Sequence, residues 1–423
     1  MSSTINSIRG MHDTLPADMH LWHHLENTVR QVFAAYGFEE IRIPVVEKTE
    51  VFARALGDAT DVVEKEMYTF EDRNGDRLSL RPEGTAGVVR AVLQNGLLYA
   101  APLRLWYMGQ MFRRERPQKG RTRQFHQVGA EVFGAPGPDI DAELLVMCQR
   151  IWAALGLDRL RLEVNSLGTS DERANYRNEL HAFLVARKDG LDGDSIRRLD
   201  RNPLRILDSK VPATQELLAD APSLSDFLGA ESRDYFNGFL QYLENFGVEY
   251  TVNPRLVRGL DYYSHAVFEW ISTELGAQGT VCAGGRYDGL VEIQGGRPWP
   301  GVGFAMGQER LVELMRQHAE PERSTPHVYV VMAGEGTKRG GLKLAEDLRT
   351  AVAGLRIQSN LGGGSFKAQF KRADRSGAPL ALVLGEDELQ SRQATLKHLR
   401  EHLPQETVPF ERLAAWFTAW LEK

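Results

Sequence analysis

Cysteine is nearly missing from this 423-residue chain, where Cys148 and Cys282 stand far apart and alone. Two thiols cannot build a disulfide framework or a cysteine-rich zinc site, and such scarcity suits a reducing compartment. Long apolar runs are missing too. None approaches the ~18 residues of a membrane span. Met1 to Pro16 has polar and charged residues where a secretory signal needs an apolar stretch. Positive charge is not in excess: 51 Lys and Arg face 57 Asp and Glu, a net charge of −6. A uniformly basic nucleic-acid wrapper is thereby excluded, whereas a local basic patch is not. What is present is a composition 42% apolar and 26% charged, that of a globular protein expected to be soluble, cytoplasmic and free of the membrane. At ~150 residues per domain the length gives two to three domains, with ample core and no need of a staple.

Leu21, Leu25, Val29, Val32, Phe33 and Tyr36 recur at helical spacing, with Gly37 as the stop. A strand follows from Phe38 and ends at Pro44, which cannot donate to a ladder. Asn74-Gly75, flanked by 68–70 and 77–80, signals a hairpin because both turn residues tolerate positive φ. Two long alternating strands between Leu103 and Phe133 flank the polar turn 116–121. Consecutive hairpins build an antiparallel sheet, whereas dinucleotide folds alternate strands with crossover helices. A helix over 139–155 packs on that sheet. The chain then turns charged and helix-compatible, punctuated by Pro203, Pro212 and Pro222, and alternation resumes near Glu249. From Gly276 to Gly307 glycine is dense enough to expect backbone in close approach to something. The expected fold class is α+β, organised as a first part over 1–168, a helical insertion over 169–247 and a second part over 248–322. Past a polar linker holding Pro321 and Pro326, strands over 328–331, 356–359 and 380–384 alternate with helices. That is the pattern of a small α/β domain over 326–423 with parallel pairing.

Chemistry concentrates in four places. The long hairpin carries Phe112-Arg113-Arg114-Glu115, then Arg116, Lys119, Arg121 and Arg123, a basic cluster in an acidic chain. Guanidinium forks bind phosphate oxygens bidentately and keep their charge; a solvated charged turn is the bland alternative. On the return strand Gln127 and Glu131 share an otherwise apolar face, the mark of a buried polar pocket. In Leu80-Arg81-Pro82-Glu83-Gly84-Thr85, Glu83 or Thr85 either caps the helix 86–93 or, for Glu83, faces a ligand amine. Third come Arg258-Gly259-Leu260-Asp261-Tyr262-Tyr263 and Cys282-Ala283-Gly284-Gly285-Arg286-Tyr287-Asp288-Gly289, which taken alone read as core tyrosines and a turn. Fourth, Gly301, Gly303 and Gly307 precede a helix with Arg310 in its first turn. That suits a nucleotide phosphate, yet the Lys-Ser/Thr of a P-loop is lacking. His20 and His24 have a zinc-compatible spacing but no further ligand follows, so they read as a helix face. Cys148 reads as core, and Cys282 has no base partner to make it a nucleophile.

Together these motifs resemble the class II aminoacyl-tRNA synthetases: Pro44 with its helix–strand unit is similar to their first motif, 112–115 with its loop to the second, and 301–310 to the third. Arg-Gly-Leu-Asp-Tyr-Tyr with Ala-Gly-Gly-Arg-Tyr-Asp-Gly-Leu narrows the resemblance to the histidyl-tRNA synthetases, and it spans the chain. The resemblance implies an antiparallel-sheet class II catalytic domain with a helical insertion, and a C-terminal α/β anticodon-binding domain. It implies a homodimer that activates histidine with ATP and transfers it to tRNA(His), Mg2+ arriving on the ATP with no dedicated protein site. It implies catalytic roles for Arg113, on the α-phosphate, and Arg258, on the charge developing there, with Arg121 and Arg310 on the β/γ end. Glu83, Thr85 and Gln127 would meet the substrate ammonium. Glu131 and Tyr263 would read the imidazole nitrogens, with Tyr262 in the same pocket. Arg116, Lys119 and Arg123 would guide the acceptor end of the tRNA. Gln308 departs from the pattern, since an apolar residue is expected there, and puts the local helix packing in question.

In the tail, Lys367, Lys371 and Arg375 fall on one helical face after Gly362-Gly363-Gly364, with Arg372 adjacent. Such a stripe suits an RNA backbone, or is simply a solvated face. A competing reading is a catalytically inactive, synthetase-like regulatory subunit of ATP phosphoribosyltransferase. Such paralogues generally lack the anticodon domain and have eroded motifs, whereas Arg113, Arg258, Arg310 and the tail are all in place here. A synthetase of other specificity is disfavoured by Glu131 and the 258–263 motif.

Overall fold

The structure, a computed structural model, describes residues 4–57, 60–118, 120–276, 279–334 and 336–422. It divides into two units, Met1–Pro321 and Glu322–Lys423. The strands of the first unit are β1 (Glu39–Glu40), β2 (Val46–Lys48), β3 (Thr69–Glu71), β4 (Arg77–Leu80), β5 (Leu103–Phe112), β6 (Gln124–Phe133), β7 (Leu160–Ser166), β8 (Thr251–Val252), β9 (Ser264–Ser272), β10 (Thr280–Arg286) and β11 (Gly301–Gly307). Eight of them form one sheet in the order β1-β5-β6-β11-β10-β9-β7-β8, and β2-β4-β3 form a small second sheet. β5 and β6 pair along their full length, from Leu103 opposite Phe133 to Phe112 opposite Gln124. The interior pairings of the large sheet are antiparallel, and only its edge strands β1 and β8 pair in parallel.

Two local expectations change. The strand expected from Phe38 to Pro44 stops at Glu40, because the Ile43 carbonyl is taken at 2.7 Å by the Arg81 guanidinium rather than by a neighbouring strand. Between β3 and β4 the turn is not a tight Asn-Gly pair. Asp72 Oδ1 accepts from the Asn74 and Asp76 amides at 2.8 and 3.0 Å, which closes a wider loop with Gly75 at φ +84°.

Strand periodicity sorts the side chains of the large sheet. Trp106, Val128, Ala130, Val132 and Phe304 pack beneath the helices Met19–Ala35, Pro138–Ala154 and Gln308–His318. Leu105, Tyr107, Met111, Phe133 and Val267 face the other way, toward the helix Thr85–Gln94 and the helical stretch after Ser166. Each fully buried Leu or Phe in these layers contributes about 1.5–3 kcal/mol. Cys148 and Cys282, distant in sequence, meet in the first layer with their sulfurs 3.9 Å apart, both buried. The stretch after Ser166 holds the helices Ser170–Val185, Gly193–Arg198, Pro212–Leu217 and Ala230–Asn245. Its first helix opens on a capping box of Thr169 and Glu172.

In the second unit β12 (Val328–Met332), β13 (Ile357–Ser359), β14 (Leu380–Leu384), β15 (Gln393–His398) and β16 (Glu406–Pro409) form a sheet in the order β13-β12-β14-β15-β16. The first three pair in parallel as the strand–helix alternation requires. β15 and β16 add antiparallel pairs, since too few residues separate β14 from β15 for a parallel crossover. No described helix is long and apolar enough to cross a membrane.

Candidate active site

The site forms on the second face of the large sheet, where β6 turns Gln127, Gly129 and Glu131 inward. Glu131 is fully buried. Its Oε1 accepts from Thr85 Oγ1 at 2.7 Å, and its Oε2 accepts from the Tyr287 hydroxyl. Gly303, opposite it on β11, leaves room for the carboxyl: a β-carbon there would collide with Glu131 Oε2. Burial pushes the Glu131 carboxyl up to about 8, although the bonds from Tyr287 and Thr85 pull the other way. Glycine does the same for Tyr107, whose ring lies where β-carbons of Gly84 and Gly129 would be. Glu83 sits at the start of a helix. Its two carboxylate oxygens accept from the Thr85 and Ala86 amides at 2.7 and 2.8 Å, at the start of Thr85–Gln94. Burial raises its carboxyl, and those amides offset part of the rise.

Tyr262, Tyr263 and Tyr287 cluster beside Glu131, with ring centroids 4.6 to 6.5 Å apart. The Arg286 guanidinium does not reach the site. It is fully buried, paired with Asp141 at 2.8 Å and bonded to the carbonyls of Ala135 and Gly137, so it fixes the base of β10 and thereby Tyr287. Arg81 likewise serves as a strut, donating to the Gln110 and Ile43 carbonyls. Three buried polar atoms near the tyrosines have no partner: the Tyr107 hydroxyl, Gln127 Oε1 and Arg258 Nε. An unmet buried group costs about 1–3 kcal/mol, so their gathering on one face marks a pocket that a polar ligand completes.

The arginines approach from three stretches of chain. Arg113 donates to the Pro82 carbonyl at 2.9 Å and lies over the Phe125 ring. Arg121 pairs with Glu115 at 3.0 Å. Arg310 donates to the Gly120 and Thr280 carbonyls. It is placed by Glu309, whose carboxylate accepts from the His126 amide at 2.8 Å and ties the helix start to β6. Burial lowers the Arg310 guanidinium, and the charges of Arg121 and Arg113 lower it further, so the three share one electrostatic neighbourhood. Arg258 pairs with Glu269, which also accepts from Thr280 Oγ1 at 2.8 Å. Burial alone would lower Arg258, but Glu269, Tyr263 and Asp208 hold it firmly charged.

Other expected contacts distribute differently. Arg116 is exposed, Arg123 folds onto the Glu115 carbonyl at 3.3 Å, and Lys119 lies outside the described residues. In the second unit Lys367, Lys371 and Arg375 are exposed on Phe366–Arg375, while Arg372 turns back to the Gly363 carbonyl. The glycines before Arg310 are a strand rather than a phosphate loop. Gln308 is wholly buried with its amide unpartnered, the local packing cost its sequence position foreshadows. Glu269, Tyr107 and Tyr287 join the site beyond the residues expected from the sequence. Glu269 had the same signal as Glu131, an acid within an apolar strand, whereas Tyr107 blends into its alternation.

Residues 10–311 match the family described as "Histidyl-tRNA synthetase", and residues 327–420 match "Anticodon binding domain". Among solved structures, the chain is similar to the apo histidyl-tRNA synthetase of S. aureus: 34% identity, TM-score 0.81, 98% of this chain and 100% of that one covered. It is also similar to the histidyl-tRNA synthetase of Nostoc sp., at 22% identity and TM-score 0.72 over 99% of this chain and 100% of that one. A third similar structure is described as an ATP phosphoribosyltransferase regulatory subunit/histidyl-tRNA synthetase from Bacillus halodurans. It is 20% identical with TM-score 0.67, over 91% of this chain and 99% of that one. The last two likenesses speak to the fold alone.

Proposed function

This chain belongs to the histidyl-tRNA synthetase family, a family of histidine–tRNA ligases, and on that premise we propose that it activates histidine with ATP and transfers it to tRNA(His). In the first step the carboxylate of histidine attacks the α-phosphorus, and pyrophosphate leaves. The nucleophile is already an anion, so the protein's task is to position it and to neutralise charge at phosphorus. Arg113 holds the α-phosphate, Arg258 meets the charge that develops there, and Arg121 and Arg310 hold the β/γ end. Mg2+ enters with ATP as part of the substrate and shares the phosphate charge. Thr85 and Gln127, with Glu83 at the helix start, face the ammonium, and Glu131, Tyr262 and Tyr263 surround the imidazole. In the second step a ribose hydroxyl of the tRNA end, guided by the loop with Arg116, Lys119 and Arg123, attacks the carbonyl carbon of the adenylate; the mixed-anhydride bond breaks, AMP leaves, and the hydroxyl proton passes to the departing phosphate or to solvent. Residues 169–247 are an insertion between catalytic parts 1–168 and 248–322, and 326–423 grips the anticodon stem-loop. The working form is a cytoplasmic homodimer.

One observation carries this reading: Glu131, a buried acid with two hydroxyl partners, lies beside the tyrosines that border Arg258, whose partner Glu269 also acts on Arg310, near Arg113 and Arg121. A pocket of buried hydrogen-bonding groups rejects ligands lacking the matching groups by ~10⁴–10⁵ in favourable cases. The purified protein is incubated with ATP, labelled pyrophosphate and each amino acid in turn. Exchange is expected with histidine alone and is expected to vanish in Glu131→Ala while the fold persists. Silence with every amino acid would return the chain to the regulatory reading. Near wild-type exchange in the variant would remove Glu131 from the pocket.

A further inference from the structure

The loop from Asn253 to Tyr263, which carries Arg258, has no helix or strand of its own. Its shape is set from outside. β7 holds the first half, where Asn165 Nδ2 donates to the Leu256 carbonyl at 3.0 Å. The second half is held by the helical stretch after Ser166, at several points. Arg173 donates to the Tyr263 carbonyl. Asn202 Nδ2 donates to Asp261 Oδ1 at 3.1 Å. Gly259 lies so close to Arg205 that a β-carbon there would collide with the guanidinium. Asp208 comes near the Arg258 and Glu269 pair, as the mutual influence of these charges shows.

We infer that this helical stretch is a positioning element of the adenylation site, with Asn202 and Arg173 fixing the half-loop from which Arg258 and Tyr263 reach their ligands. The inference rests on the adenylation reading above and adds to it. Arg173 and Asn202 bond to the loop backbone and to Asp261, Arg205 packs against Gly259, and Asp208 acts on the Arg258 and Glu269 pair. Displacement of a reacting group by ~1 Å can cost about 10²-fold in rate. The helical stretch is therefore required for amino-acid activation in the absence of any tRNA.

Asn202→Asp sets a second carboxylate against Asp261 at an exposed edge, where folding tolerates it. Exchange of labelled pyrophosphate, with histidine and ATP saturating and no tRNA present, is expected to fall by about tenfold or more in kcat, with little change in the unfolding midpoint. Adding Asp261→Asn rebuilds a donor–acceptor pair with the roles reversed, and is expected to recover most of the loss, as coupled sites do in a double-mutant cycle. Arg173→Ala, read in the same way, gives an independent loss. The inference is overturned if Asn202→Asp exchanges like wild type, if its loss follows a lowered unfolding midpoint, or if Asp261→Asn recovers nothing. A wild-type protein without histidine-dependent exchange would overturn the adenylation reading itself, so the two failures are distinguishable.

Discussion

Glu131 shows how one residue acquires its chemistry from its surroundings. Its carboxyl, ordinarily near 4.5, is raised to about 8 by burial. The sign of the linkage follows. With the folded value above the unfolded one, the native state holds the proton more tightly. This contribution to stability is whole below about 4.5 and is lost as pH rises through about 8. Glu131→Gln keeps a similar shape and cannot ionise. Thermal unfolding followed from pH 5 to pH 9 is therefore expected to fall more steeply for wild type than for the variant. Parallel curves would mean that the buried carboxyl does not titrate in that window. The residue was readable as a candidate because an acid shared its strand parity with Phe125 and Phe133. Its proton affinity was not, since that depends on Thr85, Tyr287 and Glu83, which come from other stretches of the chain.

Glycines decide what β11 can do. Gly303 has no room for a side chain: a β-carbon would meet Glu131 Oε2 and the Ala130 carbonyl. Gly303→Ala is expected to destabilise the protein by about 1–3 kcal/mol through overpacking, read from the urea midpoint, and to weaken histidine binding more than ATP binding. An alanine variant with unchanged midpoint and affinity would show that the sheet yields there. Glycine density announced a close approach, but what approached was the protein's own carboxyl on the adjacent strand. A linear pattern does not say which strand lies next to it. The same limit separates β15 and β16 from the parallel pairing expected of the tail, and it hides the role of Arg286, whose motif looks like ligand chemistry while its guanidinium serves Asp141.

At the scale of the molecule the chain joins two units with separate cores. If the second serves only tRNA, its basic helix can be altered without touching adenylation. Lys367→Glu with Lys371→Glu is expected to weaken tRNA(His) charging severalfold, most at low salt because phosphate contacts are screened. Pyrophosphate exchange is expected to stay at wild-type rates. Unchanged charging, or exchange that falls in step with it, would show that this face does not hold the tRNA backbone.

The order of the sequence already determined the elements, the hairpin that carries Arg113, the basic loop and the inward face of Gln127 and Glu131. These follow from periodicity and from local φ preference, which act over a few neighbours. Only the tertiary structure decided that Thr85 and Tyr287 meet Glu131, and that Arg173 and Asn202 reach across to the loop that carries Arg258. Those contacts join residues far apart in the chain. Burial and charge act through space, where distance along the backbone has no bearing on distance between atoms.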